Sequence, residues 1–173
     1  YNKPELTAEV IDKDGWFHTG DIGTMVEGVY LKITDRKKEI FKTSGGKYIA
    51  PQVMENKFKE SRFIEQIMVL GEGEKMAGAF IVPDFQSLRV WCELNQINYT
   101  SDAQMTENPD VLKKYDEEVS HYNEQFAPYE QVKKFVLMKE AWSVDGGELT
   151  ATMKLKRKPV LSKYDQKYKE IYS

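Results

Sequence analysis

Two apolar runs set the folding problem. "IEQIMVLG", 64–71, and "AGAFIVPD", 77–84, are separated only by the loop 72–76. Each has the length and β-branched content of one buried strand. A connection this short can join antiparallel neighbours but not parallel ones, which need a crossover of a dozen or more residues. An antiparallel pair is therefore the expected nucleus, and the remaining chain has to cover it.

Helical patterns supply that cover. Pro51 opens a short helix to about Ser61 with Val53, Met54 and Phe58 on one side, proline being well suited to a first helical turn. Asp84 caps a helix whose apolar positions are Phe85, Leu88, Trp91 and Leu94. Asn108 caps another, from Pro109 to about Phe126, with Val111, Leu112, Tyr115, Val119, Tyr122 and Phe126 along one stripe. Pro128 ends it, "VKKFVLM" reads as a third strand, and "SVDGGELTATM" is a long loop turning at Asp145-Gly146-Gly147. A basic helix over about Leu161–Tyr172 closes the chain. This order predicts an α+β domain over residues 36–173, with a short, mostly antiparallel sheet flanked by helices.

Residues 1–35 read differently. Their first fifteen residues are polar and turn-rich, ending in Lys13-Asp14-Gly15, and "WFHTGDIGTMVEGVYLKIT" then suggests a β-hairpin around Glu27-Gly28. That is a sheet edge, expected to be the β-rich end of a preceding domain. The start at Tyr1, with neither Met nor a signal-peptide pattern, reads as a piece of something larger.

Charge and cysteine content narrow the function classes. With 25 Lys and Arg against 28 Asp and Glu, the chain lacks the basic excess of a nucleic-acid binder, so any anion site is local. Acid gathers in 102–130, eight residues against Lys113 and Lys114, and base gathers in 154–169, seven against Asp165. The single Cys92, in "LRVWCEL", excludes a disulfide framework and reads as a buried core thiol in a reducing, cytoplasmic setting. No run of about 18 apolar residues spans a membrane. "NYT" at Asn98 matches a glycosylation sequon, a pattern common by chance. His18 and His121 lack metal-ligand spacing, so no metal site is assigned.

Three short stretches could carry chemistry. "DRKKEIFKTSGGKYIAP", 35–51, surrounds Gly45-Gly46 with cations, yet Lys47-Tyr48 follows the glycines where a Walker loop needs Gly-Lys-Ser/Thr. A tight turn amid solvated lysines accounts for it equally well. Asp21, at the end of "HTGD", could accept from vicinal hydroxyls or simply form a turn, and Arg36 could add a planar donor fork to the same ligand. Lys154, in "LTATMKLKRK", could bring an ammonium to developing negative charge on a mobile loop, or belong to a solvated basic tail.

Taken in order, "GWFHTGDIG", "ITDRKKEIFKTSGGKYIAPQVME" and "LTATMKLKR" resemble three late motifs of the adenylate-forming enzymes: acyl-CoA synthetases, firefly luciferase and peptide-synthetase adenylation domains. The last motif and the acidic helical insertion look most like the long-chain fatty acid CoA ligases. That resemblance implies the mobile C-terminal lid of such an enzyme, using Mg2+ and ATP, fatty acid and CoA, with the remaining adenylating core upstream as its partner. It implies ribose binding by Asp21 and Arg36, a hinge at Lys38, approach of Gly45 and Gly46 to the CoA pantetheine channel, and an adenylation lysine in Lys154. Ala151 departs from the "LTPT" usual in long-chain members, which predicts a less rigid loop around Lys154. The fragment alone is expected to be inactive, and peripheral membrane contact of the parent enzyme is left open. Two rivals are a stand-alone module binding anions or a membrane surface through the basic tail, and an adenylating enzyme with a carrier-protein acceptor.

Overall fold

The computed structural model describes residues 2–37 and 39–173. Lys38, the expected hinge, lies outside the described residues.

The antiparallel nucleus is present. Strands β5 (Ile64–Leu70) and β6 (Ala77–Pro83) pair antiparallel, with Met68 opposite Phe80 and Leu70 opposite Gly78. Every residue of β6 is buried, as a central strand covered on both faces requires. The third strand, β7 (Val132–Leu137), pairs parallel with β6. The long helical excursion between them makes that direction available. The sheet order is β5-β6-β7, and the fold is α+β as the patterns predict.

Helix α2 (Pro51–Phe58) turns Met54 and Phe58 inward, but Glu55 is buried with them while Val53 is exposed. In α3 (Phe85–Leu94) the Asp84 carboxylate accepts from the Ser87 N–H at 2.7 Å, and Phe85, Leu88 and Cys92 are buried. Leu94 faces out. The short α4 (Asp102–Met105) leads to α5 (Pro109–Asn123), which buries Val111, Tyr115 and Val119 and leaves Leu112 at the boundary. The Tyr115 hydroxyl donates to the Phe63 carbonyl at 2.7 Å. Helix α5 ends three residues earlier than expected, and Asn123 then clamps the start of β7: its side chain accepts from Val132 N–H at 2.9 Å and donates to Val132 O at 2.8 Å.

The predicted terminal helix is two helices, α6 (Arg157–Lys163) and α7 (Asp165–Tyr172), meeting at Tyr164. Gly78 lets α7 lie directly on β6, since a Cβ there would run into Ile171 and the Tyr172 hydroxyl.

The N-terminal segment contains a helix that the turn signals concealed, α1 (Pro4–Val10), followed by the hairpin β1 (Asp21–Val26) and β2 (Tyr30–Arg36). A second, tiny hairpin joins β3 (Phe41–Lys42) to β4 (Tyr48–Ile49). The core begins at Phe41 and runs to Ile171; none of residues 2–34 is buried. Trp16, Phe17, Leu31 and Ile33 are all exposed by more than half.

Candidate functional site

Asp21 opens β1 and stands in register with Arg36, which ends β2. Gly20, at φ +75°, makes the approach to the strand possible, and the Lys37 N–H donates to Gly20 O at 2.8 Å to close the ladder. The Asp21 carboxylate and Arg36 Nε lie 3.4 Å apart at an open edge. An acceptor and a planar donor fork thus share one rim, a fitting arrangement for a sugar's vicinal hydroxyls. His18 is exposed and outside any strand, not the strand residue that the pattern suggested. Its Nε2 lies 2.9 Å from Asp12, whose other oxygen accepts from the N–H groups of Asp14 and Trp16. The Trp16 N–H, then His18, hold the Asp12 carboxyl below its ordinary value.

Gly45 and Gly46 form the tip of the β3–β4 hairpin. Gly46 needs its bare backbone for φ +80°, whereas a Cβ at Gly45 would meet only Thr43 Oγ1, at ordinary contact distance. Among the described residues nothing requires Gly45 to be bare. Thr43 stiffens the hairpin: its hydroxyl donates to Lys47 O at 3.3 Å and accepts from Lys47 N–H at 3.2 Å. Two backbone bonds, Ser44 N–H to Glu74 O and Gly73 N–H to Lys42 O, tie the tip to the β5–β6 loop.

Lys154 is exposed near the end of a closed turn. A bridge pairs Leu149 with Leu155; inside it Thr150 N–H donates to Lys154 O at 2.8 Å, and Lys154 N–H donates to Thr150 Oγ1 at 3.0 Å. The Thr150 and Thr152 hydroxyls share a further bond of 3.1 Å. The turn around Ala151 is thus held by threonine hydroxyls and backbone bonds.

Two buried carboxylates engage the chain around this turn, Glu148 just before it and Glu55 through Arg157 just after it, and neither stood out in the sequence. Glu148 accepts from Lys163 Nζ at 2.5 Å, Tyr164 OH at 3.1 Å and Ser143 N–H at 3.3 Å. Burial acts to raise its pKa, but the Lys163 ammonium and the surrounding donors outweigh it and hold the carboxyl below its ordinary value. Glu55 Oε1 accepts from Val69 N–H at 2.8 Å and from Arg157 Nη1 at 2.5 Å. Burial holds the Glu55 carboxyl above its ordinary value against the opposing pull of Arg157 and the Val69 N–H. Arg157 had read as part of a basic run, and Glu55 fell within the expected 51–61 helix without being singled out.

The structure therefore joins Asp21 to Arg36, and ties the glycine hairpin to the main sheet. Lys154 stands apart: among the described residues no hydrogen bond or ion pair links it to Asp21 or Arg36. Among those residues, also, no group of three His, Cys, Asp or Glu side chains could hold a metal ion, and no helix is long and apolar enough to cross a membrane.

Comparison with known proteins decides the family. The model of the AMP-binding enzyme C-terminal domain matches residues 38–173. The chain belongs to that family. Among curated members' parent proteins, it is 39% identical to human long-chain-fatty-acid–CoA ligase 1, over 98% of this chain and 25% of that protein. It is 37% identical to a long-chain-fatty-acid–CoA ligase of Mycobacterium tuberculosis, over 92% of this chain and 27% of that one. The chain thus spans about a quarter of the length of the curated relatives it matches. Among solved structures, the adenylation domain of a carboxylate reductase from Mycobacterium chelonae superposes with TM-score 0.81 at 26% identity, covering 99% of this chain and 25% of that one. A second, from Segniliparus rugosus in complex with AMP and a carboxylic acid, gives 0.81 at 25% identity, covering 99% and 26%. The adenylation and carrier didomain of the Segniliparus enzyme gives 0.73 at 27% identity, covering 100% and 23%. This AMP-binding C-terminal domain is therefore an adenylate-forming enzyme's C-terminal region, similar in sequence to fatty-acid CoA ligases.

Proposed function

We propose that the chain is the C-terminal part of an ATP-dependent long-chain fatty acid CoA ligase, with residues 1–35 the end of the adenylating core and residues 36–173 its mobile lid. In the first step a fatty-acid carboxylate oxygen attacks the α-phosphorus of ATP and diphosphate leaves. In the second the CoA thiol, losing its proton, attacks the acyl carbon, and AMP departs with the electron pair of the acyl–oxygen bond.

Asp21 accepts hydrogen bonds from the ribose hydroxyls while Arg36 contacts the same sugar. Lys154 neutralises charge that builds on the carboxylate and α-phosphate oxygens. Rotation about Lys38 then withdraws Lys154 and turns Gly45-Gly46 toward the pantetheine. The bare Gly45 fits this role, since a side chain there would narrow the path of the thiol. The magnesium ligands are assigned mainly to the rest of the enzyme, and no step here runs through the ion.

The observation that carries the reading is Lys154 itself, an exposed ammonium on a turn whose shape is fixed by its own threonines. Preorganised charge of this kind is worth most where negative charge develops during reaction. A second reading, transfer to a carrier-bound phosphopantetheine, draws support from the likeness to the carboxylic acid reductase didomain.

Product analysis separates the two. The full-length enzyme is given a long-chain fatty acid and Mg·ATP, with either CoA or a phosphopantetheinylated carrier protein. Acyl-CoA, AMP and diphosphate are expected; acylation of the carrier in place of CoA would favour the second reading, and absence of any acyl-adenylate would overturn both.

A further inference from the structure

Arg157 lies three residues beyond Lys154, at most about 10 Å of chain, and opens α6. Its guanidinium is turned into the protein. Nη1 meets Glu55 Oε1 at 2.5 Å, and Nη2 donates to the Val69 carbonyl. Glu55 Oε1 also accepts from the Val69 N–H at 2.8 Å. A carboxylate on α2, a guanidinium behind the Lys154 turn and both backbone polar groups of one β5 residue thus form a closed ring of bonds.

The position of that ring is what matters. Helix α2 begins at Pro51, just after β4, so the element holding Glu55 continues directly from the Gly45-Gly46 hairpin. Only Lys156 separates Arg157 from the Leu149–Leu155 bridge, and its N–H is engaged by Glu148 O at 2.8 Å. Slack between the pair and Lys154 is therefore small. Buried ion pairs contribute little net stability compared with apolar replacements of similar size, which leaves geometry as their better use.

We propose that Glu55 and Arg157 are positioning residues: their pair fixes the Lys154 turn to the glycine hairpin as one body, and so sets where the Lys154 ammonium sits during adenylation. The proposal rests on the reading of Lys154 given above.

The test uses the full-length ligase with Arg157→Lys, which keeps the charge but lacks a fork able to serve Glu55 and Val69 together, and with Glu55→Gln, which keeps shape and the Val69 N–H bond. Each is made alone and in a Lys154→Ala background, with melting temperature, adenylation kcat and KM, and thioester formation from supplied acyl-adenylate as readouts. Adenylation kcat should fall by up to about 10²-fold, the scale of a displacement of roughly 1 Å. KM for ATP should hold, and neither substitution should cause further loss once Lys154 is gone. Equal losses with and without Lys154, losses shared by both half-reactions, unchanged adenylation in both variants, or failure of both variants to fold would overturn the proposal. If Lys154→Ala alone leaves adenylation intact, the reading of Lys154 fails first, and the proposal falls with it for that separate reason.

Discussion

At Glu148 a single carboxylate, only 3% exposed, gathers three donors just before the turn that Lys154 closes. Its folded-state pKa lies below the ordinary value of 4.5, so its contribution to stability is present above that value and lost as pH falls through the lower one. Melting the protein from about pH 6 down to about pH 3 should show a decline that Glu148→Gln reduces; parallel curves would contradict this account. The same carboxylate dictates Gly146, where a Cβ would run into Glu148 Oε2. Gly146→Ala should cost about 1–3 kcal/mol, read by chemical denaturation, and a neutral result would mean that the loop relaxes freely. Neither effect was legible in "SVDGGELTATM", where Gly146 read only as a turn former. The partner that constrains it, Lys163, lies 15 residues beyond Glu148.

Elements were legible where their causes are local. The spacing of two apolar runs gave β5 and β6, and Asp84 and Asn108 marked helix starts that the structure keeps. The parallel pairing of β7 was not legible, because it depends on where three intervening helices leave the chain. The inward face of α2 was misread by periodicity: Val53 was expected inside, yet Glu55 is buried there because its partner Arg157 stands 102 residues away. Helix α1 was hidden by its polar composition, although Pro4 sits at the position where proline favours a helix start. Helix α5 offers a clean energetic test. Tyr115→Phe removes the donor to Phe63 O, but that oxygen keeps the Asp84 N–H at 2.8 Å. The loss should be about 1 kcal/mol, whereas Tyr115→Ala should cost about 3–5 kcal/mol, on the scale of deleting a buried aromatic. Similar costs for the two would show that the hydroxyl, not the packed ring, anchors the helix.

At the scale of the whole molecule, the 34 residues before Asp35 contribute no described residue to the core, while they expose Trp16, Phe17, Met25, Leu31 and Ile33. Large apolar side chains exposed in this number are in keeping with the proposal that this segment completes an upstream core. Removing residues 1–34 should therefore leave the melting temperature of the remainder nearly unchanged by calorimetry; loss of cooperative unfolding would show that the division at residue 35 is misplaced. The Asp21 and Arg36 of two separate sequence motifs meet at one rim in the folded chain, whereas the buried pairs Glu148–Lys163 and Glu55–Arg157 became visible only there. The central claim is that one small domain serves two half-reactions with different residues, and Lys154→Ala in the full-length enzyme tests it most directly. Acyl-adenylate formation should fall by about 10²–10³-fold, while thioester formation from supplied acyl-adenylate stays close to that of the unmodified enzyme. An equal loss in both half-reactions would contradict it.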